Sequence, residues 1–91
     1  MSQKVIMYTT GVCPYCVMAE RFLLNKGVAG LNKIRVDLDP SQRETMISLT
    51  GRRTVPQIFI NDTHVGGYED LVALDRAGNL DSLLANTTSG Q

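Results

Sequence analysis

Apolar positions change their period several times along the chain, and each change marks an element. Residues 5–8 form a short apolar run of strand length, leading through Thr9-Thr10-Gly11-Val12 into a new pattern. From there Cys16, Ala19, Phe22 and Leu23 recur three and four apart, the period of an amphipathic helix, which the pattern carries to about Gly27. Over residues 33–38 the period falls to two, with Ile34, Val36 and Leu38 alternating with polar residues, as in a strand with one buried face. Asp39-Pro40 is expected to break that strand. Ser41 and Glu44 have capping-box spacing, so Ser41 is expected at the N-cap of a helix running to about Thr50. That helix is expected to bury Met46, Ile47 and Leu49 and to stop at Gly51.

The second half reads as a hairpin followed by helix. Residues 55–60 are strand-like, Asn61-Asp62 suits the turn, and residues 63–65 return antiparallel. Gly66-Gly67 ends the hairpin. Residues 70–77 place Leu71 and Leu74 one turn apart with Gly78 as C-cap, and Leu80, Leu83 and Leu84 make a last helical patch. Residues 85–91 are small and polar and read as a frayed tail. Tyr8, Phe22 and Phe59 are assigned to the core, and His64 to the solvent side of the return strand.

The order β-α-β-α-β-β-α is that of a thioredoxin-like α/β fold: a four-stranded mixed sheet flanked by helices, its first βαβ crossover right-handed. Ninety-one residues suffice for one domain, taken as 1–91, with a single core. Nine basic and nine acidic side chains cancel, so no strong field points to nucleic acid or to acidic lipid. The apolar run at residues 5–8 is far shorter than the core of a leader, and no stretch approaches membrane-spanning length. The chain is therefore expected in the cytoplasm, where disulfides are transient and catalytic.

That compartment gives meaning to Cys13-Pro14-Tyr15-Cys16, which holds both of the chain's cysteines. A Cys-x-x-Cys at a strand-to-helix turn reads as a thiol–disulfide redox site. Pro14 suits the first helical position, where the missing N–H costs nothing. Cys13 then sits where free backbone amides and the positive end of the helix dipole favour an anion. The dipole, at up to ~2 kcal/mol, moves a pKa by about one and a half units; any larger fall needs local hydrogen bonds from the Tyr15 or Cys16 amide or the Cys16 thiol. Cys13 is thus the nucleophile, and Cys16, one turn deeper, the resolving thiol. In a regular helix their Cβ atoms would lie ~5–6 Å apart, against about 3.5–4.5 Å in a disulfide, so bridging relies on Cys13 sitting at the helix edge. A structural staple would close only a few residues and constrain the unfolded chain little.

With Thr54-Val55-Pro56-Gln57 and Gly66-Gly67-Tyr68-Glu69-Asp70 added to Cys13-Pro14-Tyr15-Cys16, the chain resembles a dithiol glutaredoxin from residue 5 to about residue 84. The resemblance implies a glutathione-dependent thiol–disulfide oxidoreductase that reduces glutathione mixed disulfides and protein disulfides. It implies that Pro56 is cis and faces the thiols, and that Val55 pairs with the glutathione backbone like an added strand. The helix amides after Gly67 would hold the γ-glutamyl carboxylate while Asp70 takes the α-ammonium. Tyr15 would border the groove, and Arg52 or Arg53 would meet the glycine carboxylate. The glutathione-binding set is accordingly Tyr15, Arg53, Thr54, Val55, Pro56, Gly67, Glu69 and Asp70. Relatives commonly carry a lysine where this chain has Thr10, which removes one stabiliser of the Cys13 thiolate. Glutathione is the expected co-substrate, disulfide-bearing proteins the partners, and a monomer the expected state, with no metal. Two other readings share these residues: a reductant coupled to thioredoxin reductase, and a dimer holding an iron–sulfur cluster through the first cysteine and glutathione. A closed zinc site would need more ligands than two thiols and His64.

Overall fold

The computed structural model describes residues 4–85, so the tail expected beyond Ala85 lies outside the described residues. The first strand, β1 (Val5–Thr9), is followed by the helix α1 (Pro14–Asn25) and by β2 (Leu31–Arg35). Then come α2 (Pro40–Thr50), the hairpin β3 (Gln57–Ile60) and β4 (Thr63–Gly66), and the helices α3 (Tyr68–Arg76) and α4 (Leu80–Ala85). The strands form one sheet in the order β2-β1-β3-β4. β1 and β2 run parallel from Val5↔Leu31 to Thr9↔Arg35, whereas β1–β3 and β3–β4 are antiparallel. The mixed sheet of the thioredoxin-like fold is therefore present.

Alternation along β1 divides the core between the two faces. Val5 and Met7 point one way and pack with Cys16, Ala19 and Leu23 of α1, Ile58 and Ile60 of β3, Leu71 of α3, and Leu80 and Leu84 of α4. Tyr8 points the other way and meets Val36 and Met46, with Ile6, Ile34, Ile47 and Phe59 at the margin. One face is thus covered by α1, α3 and α4 and the other by α2. Burying each of these larger side chains contributes about 1.5–3 kcal/mol, which anchors α1 and with it the turn that carries Cys13. The central strand β1 ends beside that turn, at the carboxyl end of the parallel pair, where open α/β sheets place their sites.

Several boundaries differ from the sequence reading. β2 begins at Leu31 and ends at Arg35, two to three residues earlier than expected. Val36 is buried, but Leu38 is 71% exposed, so the alternation outlasted the strand. Asp39 rather than Ser41 caps α2: its carboxylate accepts the Ser41 amide at 3.0 Å, and Pro40 takes the first helical position, the strand having already ended at Arg35. Leu49 is 58% exposed and lies outside the core that Met46 joins. Phe22 and Phe59 are half-buried at the core margin, and Tyr8 is buried. Gly51 ends α2 in the left-handed region (φ 71°), as its C-cap role requires. Asn61 and Asp62 carry positive φ in the hairpin turn, the twist that suits a two-residue connection. α3 starts at Tyr68, with Gly67 as N-cap, so Asp70 is its third residue.

Candidate active site

Cys13 is the N-cap of α1, extended at φ −153°, ψ 96°, and Pro14 is the first helical residue. Leaving helical φ/ψ at that one residue brings the two thiols into bonding range: Cys13 and Cys16 are joined as a disulfide, with Cα atoms 5.2 Å apart. The Cys16 amide donates to the Cys13 sulfur at 3.1 Å. When the bond is reduced, that amide and the helix dipole favour a charge on Cys13. Cys16 is 3% exposed and packs in the core, while Cys13 is half-buried at the surface. The more accessible sulfur, that of Cys13, is the one placed to attack, and the nearly enclosed Cys16 is placed to resolve.

The Val55–Pro56 bond is cis, and the Cys13 sulfur lies 3.9 Å from the Val55 carbonyl oxygen. Beside it opens a shallow groove of about 210 Å³. Tyr15 and Tyr68 stand together on one wall, their rings 6.2 Å apart, and Phe22 meets Tyr68 edge-on at 6.3 Å. Arg52, Thr54, Val55 and Pro56 line it from the segment before β3, and Gly67, Glu69 and Asp70 from the start of α3. Asp70 accepts the Gly67 amide at 2.9 Å and the Arg52 guanidinium at 2.9 Å from one carboxylate oxygen. These two contacts, Arg52 first, hold its carboxyl below the usual carboxylate range. Its second oxygen and the opening amides of α3 remain for a ligand.

Of the residues set down from sequence, Tyr15, Thr54, Val55, Pro56, Gly67, Glu69 and Asp70 line this groove, and Arg53 does not. Arg52 donates to Asp70 at 2.9 Å and lines the groove, whereas Arg53 stays exposed outside it. Gln57 and Tyr68 also line the groove and were not in the predicted set. The Gln57 side chain donates to the Thr54 carbonyl at 3.0 Å and so braces the segment that carries Val55. His64 is not a solvent-facing spacer: it is half-buried, 2.8 Å from the Gln57 side-chain oxygen, with its ring 5.0 Å from that of Phe59. Burial first, then Arg52, push its pKa below the ordinary histidine value, while Asp70 raises it. Among the described residues no group of three or more His, Cys, Asp or Glu is placed to hold a metal ion, and no helix is long and apolar enough to cross a membrane.

A cysteine pair bridged at a helix N-terminus, with its outer sulfur half-buried at the surface beside a groove, defines a thiol–disulfide oxidoreductase of the thioredoxin-like fold. Residues 5–65 match the family model described as Glutaredoxin, and the chain belongs to the glutaredoxin family. It is 52% identical over 82 residues to a glutaredoxin of Neisseria meningitidis, covering 90% of this chain and 96% of the relative. It is 49% identical over 81 residues to glutaredoxin 3 of Escherichia coli, covering 89% and 96%. Among solved structures, the buckwheat glutaredoxin–glutathione complex superposes with a TM-score of 0.85 at 25% identity, over 93% of this chain and 79% of that one. The solution structure of the glutaredoxin from Brucella melitensis gives 0.78 at 48% identity, over 89% and 87%.

Proposed function

We propose that the chain exchanges disulfides with glutathione through Cys13, with the tripeptide held in the groove between Tyr15, Val55 and Asp70. The observation that carries this is the placement of the Cys13 sulfur 3.9 Å from the Val55 carbonyl, at the end of a groove that finishes in a carboxylate and free helix amides. The Val55 backbone is positioned to pair with a peptide, Asp70 offers an oxygen to an ammonium, and the amides of α3 suit a carboxylate. The solved complex of buckwheat glutaredoxin with glutathione supports the same ligand class.

The Cys13 thiolate attacks the glutathione sulfur of a mixed disulfide; that S–S bond breaks, and the substrate leaves as a thiolate that takes a proton from water. The new Cys13–glutathione disulfide has two exits. A second glutathione thiolate attacks the bound glutathione sulfur, releasing oxidised glutathione and restoring Cys13. Alternatively Cys16 attacks the Cys13 sulfur and expels glutathione, giving the internal disulfide seen here, which two further glutathiones reduce. A protein disulfide is attacked by the Cys13 thiolate in the same way, one protein sulfur leaving as a thiolate and the other staying bonded to Cys13. Cys16 then attacks the Cys13 sulfur and expels the second protein thiolate, forming the internal disulfide. We place this chemistry in a monomer, in a reducing cytoplasm.

The test is turnover of a small glutathione mixed disulfide coupled to glutathione reductase, with each cysteine replaced in turn. Cys13→Ser is expected to abolish all activity. Cys16→Ser is expected to keep deglutathionylation and lose the reduction of protein disulfides. An active Cys13→Ser protein, or glutathione failing to support turnover where a flavoprotein thioredoxin reductase succeeds, overturns the proposal.

A further inference from the structure

The side of the thiol pair away from the groove is built differently. A cavity of about 370 Å³ touches both Cys13 and Cys16 and is bounded by Gly11 of the preceding turn, Glu20 of α1, and Lys33 and Arg35 of β2. Lys33 pairs with Glu20 at 3.1 Å. Arg35 pairs with Asp37 through two bonds, Nε to Oδ1 at 2.7 Å and Nη2 to Oδ2 at 2.7 Å. The same Oδ2 accepts the Gly11 amide at 3.2 Å. The guanidinium also lies over Gly11, where an added Cβ would fall 2.6 Å from Arg35 Nη2.

This constellation sits where the turn has little else to hold it. The β1–β2 ladder closes with the Val36 amide donating to Thr9 at 3.0 Å, so Gly11 and Asp37 both lie just past it. Within the turn the Thr10 hydroxyl donates to the Val12 carbonyl at a long 3.3 Å. Val12, the residue before the nucleophile, is 93% exposed and gains no packing. A two-bond guanidinium–carboxylate pair has a fixed planar geometry, which a single ammonium cannot reproduce.

We propose that Arg35 and Asp37 are positioning residues for Cys13: their pair closes over Gly11 and holds the turn so that the Cys13 sulfur meets the Cys16 amide. That amide contact, 3.1 Å here, favours the thiolate. Freed from the clamp, the turn carries Cys13 away from the amide for part of the time, and the thiolate becomes harder to form. The inference rests on the thiolate chemistry of the class and not on which co-substrate fills the groove.

The charged groups lining the two cavities beside the thiols are Glu20, Lys33 and Arg35 on this side, and Arg52, Glu69 and Asp70 in the groove. The experiment alters only the clamp. The pH dependence of Cys13 alkylation by iodoacetamide is followed by peptide mass spectrometry on the reduced full chain and on Asp37→Asn, Arg35→Met, Arg35→Lys and Gly11→Ala, each shown by circular dichroism to be folded at the assay temperature. A clamp predicts that all four raise the alkylation midpoint, by about half a pH unit or more. If the pair acts as two separate charges, Asp37→Asn lowers the midpoint while Arg35→Met raises it, and Arg35→Lys leaves it in place. A downward shift in Asp37→Asn, or an unshifted Arg35→Lys, overturns the proposal.

Discussion

Asp70 gives the sharpest handle on the groove, because one substitution separates its charge from its shape. In Asp70→Asn an acceptor oxygen remains for the Gly67 amide, which now approaches at 2.9 Å, but the negative charge is gone. A hydrogen bond between charged partners contributes about 1.5–3 kcal/mol. The Asp70 side chain is 45% exposed, and water screens the pair, so about 1–1.5 kcal/mol is the appropriate share for a ligand ammonium. That converts to a rise of about five- to twelvefold in KM for a glutathione mixed disulfide. Asp70 lies across the groove from the sulfurs, so kcat should stay within about twofold, the mark of lost binding rather than lost chemistry. The assay is steady-state turnover of the mixed disulfide, run beside the same substrate with its α-amine acetylated. Acetylation should weaken the native protein by a similar factor and leave the Asp70→Asn protein nearly unaffected, because the two changes remove one contact. An unchanged KM, or effects of substitution and acetylation that simply multiply, would refute the ammonium assignment.

Other expectations follow from the same geometry. Leu23 is fully buried on the inner face of α1, so Leu23→Ala should lower unfolding free energy by about 2–5 kcal/mol, read as a lower denaturant midpoint with the slope unchanged. Asp37, Asp39 and Asp70 are held below the ordinary carboxylate range by Arg35, Ser41 and Arg52 respectively. A lowered folded-state pKa stabilises fully above the unfolded value, about 4, and loses that as pH falls through the folded one, so Tm should drop below about pH 4, less steeply in Asp37→Asn. His64 is likewise depressed, chiefly by burial, and its contribution is present above about pH 6.5 and lost on acidification. A Tm that falls as the pH drops below about 6.5 in the native protein and not in His64→Gln checks it. Gly51→Ala meets no atom within 4 Å but forces a side chain into φ 71°, and should cost about 1 kcal/mol in thermal unfolding.

The dithiol was legible because its chemistry depends on spacing and on a proline suited to the first helical position. The sheet was legible in its order and pairing, because each strand run is bounded by turn residues, although β3 begins at Gln57 rather than at Val55, where the cis Pro56 interrupts the run. What sequence blurred were places where two local signals compete. Ser41 and Glu44 spell a capping box, yet Asp39-Pro40 offers a better-placed acceptor followed by a proline at N1, and Asp39 takes the cap. Val36 and Leu38 continue the alternation of β2, but the ladder to β1 ends where β1 turns away to carry Cys13, leaving Leu38 in solvent. Leu49 has the spacing of a core residue on α2 but falls on the side that no neighbour covers. The two-residue turn at Asn61-Asp62 already set His64 opposite Phe59, but not the register irregularity beside Phe59 or the Gln57 side chain that meets the His64 ring. The Arg35–Asp37 contact to Gly11 joins residues 26 positions apart and could not be read before β1 and β2 were paired.

The central claim is that glutathione bonds to Cys13 and lies along Val55 toward Asp70. The most direct measurement is an NMR structure of the Cys16→Ser protein trapped as its glutathione mixed disulfide. The tripeptide should be linked to Cys13, with nuclear Overhauser contacts from its cysteinyl residue to Val55 and from its γ-glutamyl end to the start of α3. An adduct at Cys13 whose tripeptide shows no contact with either segment would contradict it.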